Sequence, residues 1–168
     1  MKVKDLERTA NVAWSPKAHT PILLAAGTAG QLLDASFNTN AALEIYSLNL
    51  AEPGPDMVLK ATTPSEHRFH KIIWGAHGGD QTSGTIVGGC DGGLIQIYSA
   101  SKLLNGESGL ICRQDKHSGP VHALDFNPFQ QNLFATGAAE SEIFIWDLNN
   151  TNTPMSPGKY NRSSLKTS

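Results

Sequence analysis

Three passages of this chain share one register, and that repetition constrains the fold more than any other feature. The first runs PILLAAGT (Pro21 to Thr28) and then AALEIYSLNL (Ala41 to Leu50). The second runs HKIIWGAH (His70 to His77), SGTIVGG (Ser83 to Gly89) and LIQIYSA (Leu94 to Ala100). The third runs PVHALDFNP (Pro120 to Pro128), NLFATGAA (Asn132 to Ala139) and EIFIWDL (Glu142 to Leu148). Each set ends on an aromatic, Tyr46, Tyr98 or Trp146, at intervals of 52 and then 48 residues. Three positions before that aromatic stand Leu43, Ile95 and Ile143, and one position before it Ile45, Ile97 and Ile145. Six positions before it, where a tight turn enters the strand, stand Asn40, Gly92 and Glu140. Strand-length runs recurring in one register at a near-constant period predict repeated β units stacked on their neighbours.

The period exceeds the roughly 40–45 residues of a WD-type blade. Long connections account for the difference: Glu52 to Met57 with the stretch to His67, and Ser101 to Gly109, where a short helical turn is expected. The first passage also carries an insertion, GQLLDASFN (Gly30 to Asn38), between its second and third strands. In Ile143-Phe144-Ile145-Trp146 both alternating faces are apolar, so that strand must be covered on two sides, as face-to-face blades would cover it. Glu44 and Gln96 make one face of the corresponding strands less hydrophobic.

The third passage carries the sharpest local signal. Trp146-Asp147 is the dipeptide that names the WD repeat, and His117 lies 29 residues before it. Such a histidine is expected to be structural, reaching a strand hydroxyl such as Thr136, with the turn acid Glu140 accepting further bonds. After Asp147 the chain becomes polar, and Pro154, Pro157 and Gly158 exclude a central strand. Residues 149–168 therefore read as a linker. Propellers close with four to eight blades. Three blades and an N-terminal strand around Val12-Ala13-Trp14 predict an incomplete ring, a fragment or shortened form of a larger propeller.

Composition excludes other classes. With 13 Lys+Arg against 15 Asp+Glu the net charge is -2, which lacks the basic surplus of a non-specific nucleic-acid binder. Charged residues are 17% against a usual value of about 25%, while Gly reaches 16, so a long solvated helix is excluded as well. Cys90 and Cys112 make no disulfide framework and read as free thiols. The polar opening MKVKDLERTANVAWSPKAHT holds no signal-peptide core, and no apolar run approaches the roughly 20 residues of a membrane helix. The chain is expected to be soluble, and the sequons at Asn149 and Asn161 are chance matches.

No catalytic, metal or cofactor motif emerges. The cluster Gly88-Gly89-Cys90-Asp91-Gly92-Gly93 precedes a strand, where a phosphate cradle would need a helix. A hairpin using Asp91-Gly92 for positive φ explains it better. His67, His70 and His77 lack ligand spacing, and nothing orients a base toward Cys90 as a nucleophile. Ser15-Pro16 and Ser156-Pro157 are phosphorylation dipeptides, the second the more accessible. The reading is therefore a non-enzymatic interaction scaffold with no cofactor, or alternatively a generic WD-repeat adaptor with a peptide-binding face.

A more specific likeness rests on MKVKDLERTANVAWSP, LDASFNTNAALEIYSLNL and QDKHSGPVHALDFNPFQQNLFATGAAESEIFIWDLNN. These blocks closely resemble the N-terminal region of the large outer-coat subunit of the COPII vesicle coat, from Met1 to about Gly158; KYNRSSLKTS departs from it. The resemblance implies an all-β fold, a partial WD-repeat propeller of about three blades from a seven-bladed ring. Residues 1–158 would form it, with blades at about 10–50, 67–100 and 117–148, and 159–168 would be a divergent, disordered tail. It implies a structural role in endoplasmic reticulum to Golgi transport, in the cytoplasm at the cytosolic face of exit sites and coated vesicles. The implied partners are other COPII coat subunits, including the smaller WD-repeat outer-coat subunit in the full-length protein, and further copies at cage vertices. Nucleic acid would not be a partner, and membrane contact would be indirect, through the inner coat.

Overall fold

The computed structural model describes residue 4 and residues 9–16, 21–29, 41–54, 57–77 and 83–157. The predicted insertion, His19, the Asn161 sequon and the 159–168 tail lie outside these residues. The described residues form three four-stranded antiparallel sheets, each following chain order from its inner to its outer strand. The first blade comprises β1 (Ala10–Trp14), β2 (Leu23–Thr28), β3 (Ala41–Ser47) and β4 (Val58–Ser65). The second comprises β5 (Phe69–Gly75), β6 (Thr85–Cys90), β7 (Ile95–Ser99) and β8 (Leu110–Gln114), with helix α1 (Ala100–Leu104) between its last two strands. The third comprises β9 (Val121–Phe126), β10 (Leu133–Ala138), β11 (Ile143–Asp147) and β12 (Asn150–Met155). Together they form an open, partial WD-repeat propeller.

Two stretches read as connections are strands. Val58–Ser65, within the presumed loop before His67, pairs with β3 along its whole length. Asn150–Met155, within the presumed linker, pairs with β11 at Ile145↔Met155 and Asp147↔Asn150. Both are outer strands with one paired edge, so polar residues, and Pro154, fit where a central strand would reject them. Their weak apolar pattern follows from that position. The helical turn expected within Ser101 to Gly109 is α1, capped where the Ser99 hydroxyl accepts from the Lys102 N–H at 3.4 Å.

Blades pack inner strand against inner strand, with two apolar clusters between the sheets. One joins Leu23, Ala25, Leu43 and Ile45 of the first blade to Phe69, Ile72, Trp74 and Tyr98 of the second. The other joins Val87, Ile95 and Ile97 of the second blade to Val121, Leu124, Phe134 and Trp146 of the third. Each blade thus offers an aliphatic face forward and an aromatic face backward. Glycine lets the sheets approach. A Cβ at Gly27 would lie 2.7 Å from the Phe69 ring, and one at Gly89 would lie 2.7 Å from Leu124 Cδ1. Phe69 is fully buried, its ring held between Gly27 of the first blade and Gly88 of its own.

Candidate interaction surface

The most connected polar group lies inside the third blade. Trp146 Nε1 donates to Thr136 Oγ1 at 2.8 Å. Thr136 Oγ1 is 2.6 Å from His117 Nε2, and His117 Nδ1 is 3.2 Å from Glu142 Oε2. Donor accounting orders this chain: the threonine hydroxyl donates to Nε2, and the imidazole proton sits on Nδ1 facing the carboxylate. Burial holds the His117 pKa below its ordinary value, even though the Glu142 carboxylate pulls the other way. Glu142 is held below the usual carboxylate range chiefly by the Ser118 N–H and hydroxyl, with His117 adding to the effect. These bonds tie the turn before β9 to β10 and β11, which is a structural role, as expected.

The acid in this chain is Glu142, however, and not Glu140. Glu140 and Ser141 occupy left-handed backbone, at φ 60° and 59°, and form the tip of the β10–β11 turn. That places the next residue, Glu142, under His117. In the second blade the corresponding turn uses Gly92 and Gly93, at φ 64° and 79°, so the positive φ falls one residue later than the expected Asp91-Gly92 pair, on two glycines that adopt it without a Cβ clash. No side chain is strained there.

The polar interruptions in the other two blades are buried. Tyr46 Oη donates to Glu44 Oε2 at 2.8 Å, and Tyr98 Oη donates to Gln96 Oε1 at 2.8 Å. Glu44 and Gln96 are 7% and 0% exposed, so neither makes a wet face. Gln96 Oε1 also accepts from Ser65 Oγ at 3.0 Å, a polar tie between β4 and the next blade, while Gln96 Nε2 has no partner among the described residues. Sequence patterning missed these pairs, although a recurring polar residue two positions before a tyrosine was the available signal.

The remaining candidates do not converge. His67 and His77 stand apart at the two ends of the second blade's first hairpin. His70 Nε2 is 2.6 Å from Asp91 Oδ1, and its ring centroid is 4.3 Å from that of His122. Among the described residues no three His, Cys, Asp or Glu side chains are grouped to hold a metal ion. Cys90 is fully buried and its pKa is pushed up to about 12, first by desolvation and then by Asp91, so its thiol is not an activated nucleophile. Both cysteines are free. Ser15 Oγ accepts from the Leu23 N–H at 3.0 Å and is partly buried, whereas Ser156 is exposed.

What the chain offers outward is apolar and rigid. Phe129 is 92% exposed at the tip of the β9–β10 connection, and Asn127 Oδ1 stiffens that tip by accepting from the N–H groups of Phe129 and Gln130. On the forward face of the third blade, a groove of about 440 Å³ is lined by Lys71, Ala123, Asp125, Ala135, Gly137 and Ile143. Rigid loops and an unpaired blade face suit contact with macromolecules.

No protein-family model matches the chain. It is 53% identical to "Protein transport protein Sec31A" of Gallus gallus over 162 residues, and 52% identical to the Homo sapiens protein of the same name over 162 residues. Each match covers 94% of this chain and 13% of the relative, so the chain spans about an eighth of those proteins' length. A solved structure described as "COPII on membranes, outer coat vertex" superposes with TM-score 0.72 at 32% identity, covering 90% of this chain and 38% of that one.

Proposed function

Because this chain is a homologue of the Sec31 protein transport proteins along 94% of its own length, we propose that it is a structural element of a COPII-type vesicle coat. Its unit of action is the propeller segment within residues 1–158, with 159–168 outside it. The observation that carries this reading is the joint match in sequence and in three-dimensional structure to coat proteins, along nearly the whole chain. The interior agrees with it. Buried polar groups are spent on joining strands and blades, and the exposed features are apolar contacts and not a reaction centre.

In this reading the chain performs no catalysis and uses no cofactor. It acts in the cytoplasm, on coated vesicles and at the cytosolic face of endoplasmic reticulum exit sites. It contacts other coat subunits through propeller loops and faces, and membrane indirectly. Its near-neutral charge supports protein partners over nucleic acid.

Flotation with a COPII coat assembled on liposomes tests the reading. The chain is expected to rise with coated liposomes and to stay in the soluble fraction with bare ones. Absence from the coated fraction, under conditions where a full-length Sec31A is recovered there, would overturn the assignment.

A further inference from the structure

Among the described residues four hydroxyl side chains stand directly before a proline: Ser15, Thr63, Thr153 and Ser156. An enzyme that modifies such a hydroxyl must draw the flanking backbone into its own cleft, so burial and strand pairing protect the residue. Ser15 is partly buried, and its Oγ accepts from the Leu23 N–H. Thr63 lies within β4 and is 4% exposed. Thr153 is exposed but lies within β12, where its Oγ1 accepts from Asn150 Nδ2 at 3.3 Å. Of the four, only Ser156 is both exposed and outside a strand without such a tie, and Pro157 biases it toward extended backbone.

The repeat shows that this exposure belongs to the position in the blade. Ser156 follows Met155, which pairs with Ile145. In the same register Thr62 follows Ala61, which pairs with Ile45, and Arg113 follows Cys112, which pairs with Ile97. Thr62 and Arg113 are exposed although a further blade packs against each of theirs. What surrounds Ser156 is acidic. It lines one cavity of about 530 Å³ with Glu140, Glu142 and Phe144. Glu142 is kept ionised by the Ser118 N–H and hydroxyl and by His117. The strand that leads to Ser156 is lightly held: β12 meets β11 at Ile145↔Met155 and Asp147↔Asn150, with a register shift between them. Its other contacts reach the second blade, where Cys112 Sγ is 3.6 Å from Thr151 Oγ1 and Gln114 Nε2 donates to Asn152 Oδ1 at 3.4 Å.

We propose that Ser156 is a phosphorylation site for a proline-directed protein kinase, and that its phosphate releases β12 by repulsion from Glu140 and Glu142. In the transfer Ser156 Oγ forms a bond to the γ-phosphorus of ATP, the bond from that phosphorus to the β-phosphate oxygen breaks, ADP leaves, and the hydroxyl proton passes to the kinase's base. The product carries about −2 charge at neutral pH beside two carboxylates, an arrangement that disrupts through like-charge repulsion. Because β12 lies against Cys112, its release uncovers that thiol, while Cys90, fully buried within β6, stays covered. This inference stands apart from the coat reading, since it rests on the third blade alone.

Treatment of the folded 168-residue chain with a cyclin-dependent kinase and ATP tests this, with sites located by mass spectrometry and the two cysteines then timed against iodoacetamide. Phosphate is expected at Ser156 and not at Ser15 or Thr63. Cys112 should then alkylate on the order of fivefold faster, with Cys90 unchanged. Ser156→Ala should abolish both effects, Ser156→Thr should restore them, and Glu140→Gln should keep the phosphate but lessen the gain at Cys112. Circular dichroism checks that each variant folds. Three results would overturn the proposal: no phosphate at Ser156, phosphate there with Cys112 unchanged, or Cys90 accelerated as much as Cys112, which would mean general unfolding.

Discussion

The Phe69 ring occupies the space above Gly27, where any side chain would stand: a Cβ there would be 2.7 Å from the ring and 3.1 Å from Ile72 Cγ2. Adjacent blades thus interlock by a ring seated on bare backbone. Gly27→Ala should destabilise the chain by about 1–3 kcal/mol through overpacking. Phe69→Leu should also destabilise it, but the double variant should lose less than the sum, because the smaller side chain makes room. Chemical denaturation of the four proteins gives the coupling. Strict additivity would contradict the interlock.

The His117 chain predicts acid sensitivity above the carboxylate range. With its folded pKa depressed by burial, the imidazole is protonated more readily in the unfolded state, whose value is about 6.5. The associated stability is fully present above that pH and is lost as pH falls below it, toward the depressed folded value. Glu142 adds a second loss at lower pH, as the medium falls through its own depressed folded value. Melting temperature against pH should therefore begin to decline below about 6.5 in the wild type, and that first decline should flatten in His117→Asn. An unchanged profile in the variant would contradict the assignment.

For the buried Gln96–Tyr98 pair, removing one partner should cost more than removing both. Tyr98→Phe takes one donor from Gln96 Oε1, and Gln96→Leu removes the acceptor of the buried Tyr98 hydroxyl, leaving the Ser65 hydroxyl as its polar neighbour. Each single change should cost about 1–3 kcal/mol. The double variant should be more stable than Gln96→Leu alone, since no buried hydroxyl remains unpaired. A double variant no more stable than Gln96→Leu would count against this view.

At the β10–β11 turn a gain is expected. Glu140 and Ser141 hold left-handed backbone that the second blade assigns to Gly92 and Gly93. Ser141→Gly should stabilise the chain, by up to about 1 kcal/mol, because the strain relieved in the folded state exceeds the added freedom of the unfolded chain. A loss of stability in thermal melts would show that the turn is not strained.

The sequence revealed the blades through their central strands, whose apolar residues are buried on both sides and therefore recur. Ile97 and Tyr98 are 1% and 2% exposed, and their counterparts Ile45 and Tyr46 sit in the same register. The outer strands were illegible for the opposite reason. Val58 and Leu59 are about half exposed, the buried residues of β4 are the small Ala61 and Thr63, and Asn150–Met155 is polar, so neither strand carries a run of large apolar residues that a sequence pattern would show. Glu142 was missed because the left-handed turn at Glu140 and Ser141 advances the carboxylate by two residues, a backbone effect without a side-chain pattern. The exposed groove at Gly137 was equally hidden. Glycine there looks the same in sequence whether or not a side chain packs over it.

Hydrogen exchange measured strand by strand by mass spectrometry tests the blade architecture most directly. The account predicts strong protection in β2, β3, β6, β7, β10 and β11, which are paired on both edges, and faster exchange in β4, β8 and β12, with protected segments recurring at the period of the repeat. Uniformly fast exchange, or protection running through the 52–57 and 101–109 connections without the outer strands exchanging faster, would contradict three stacked four-stranded blades.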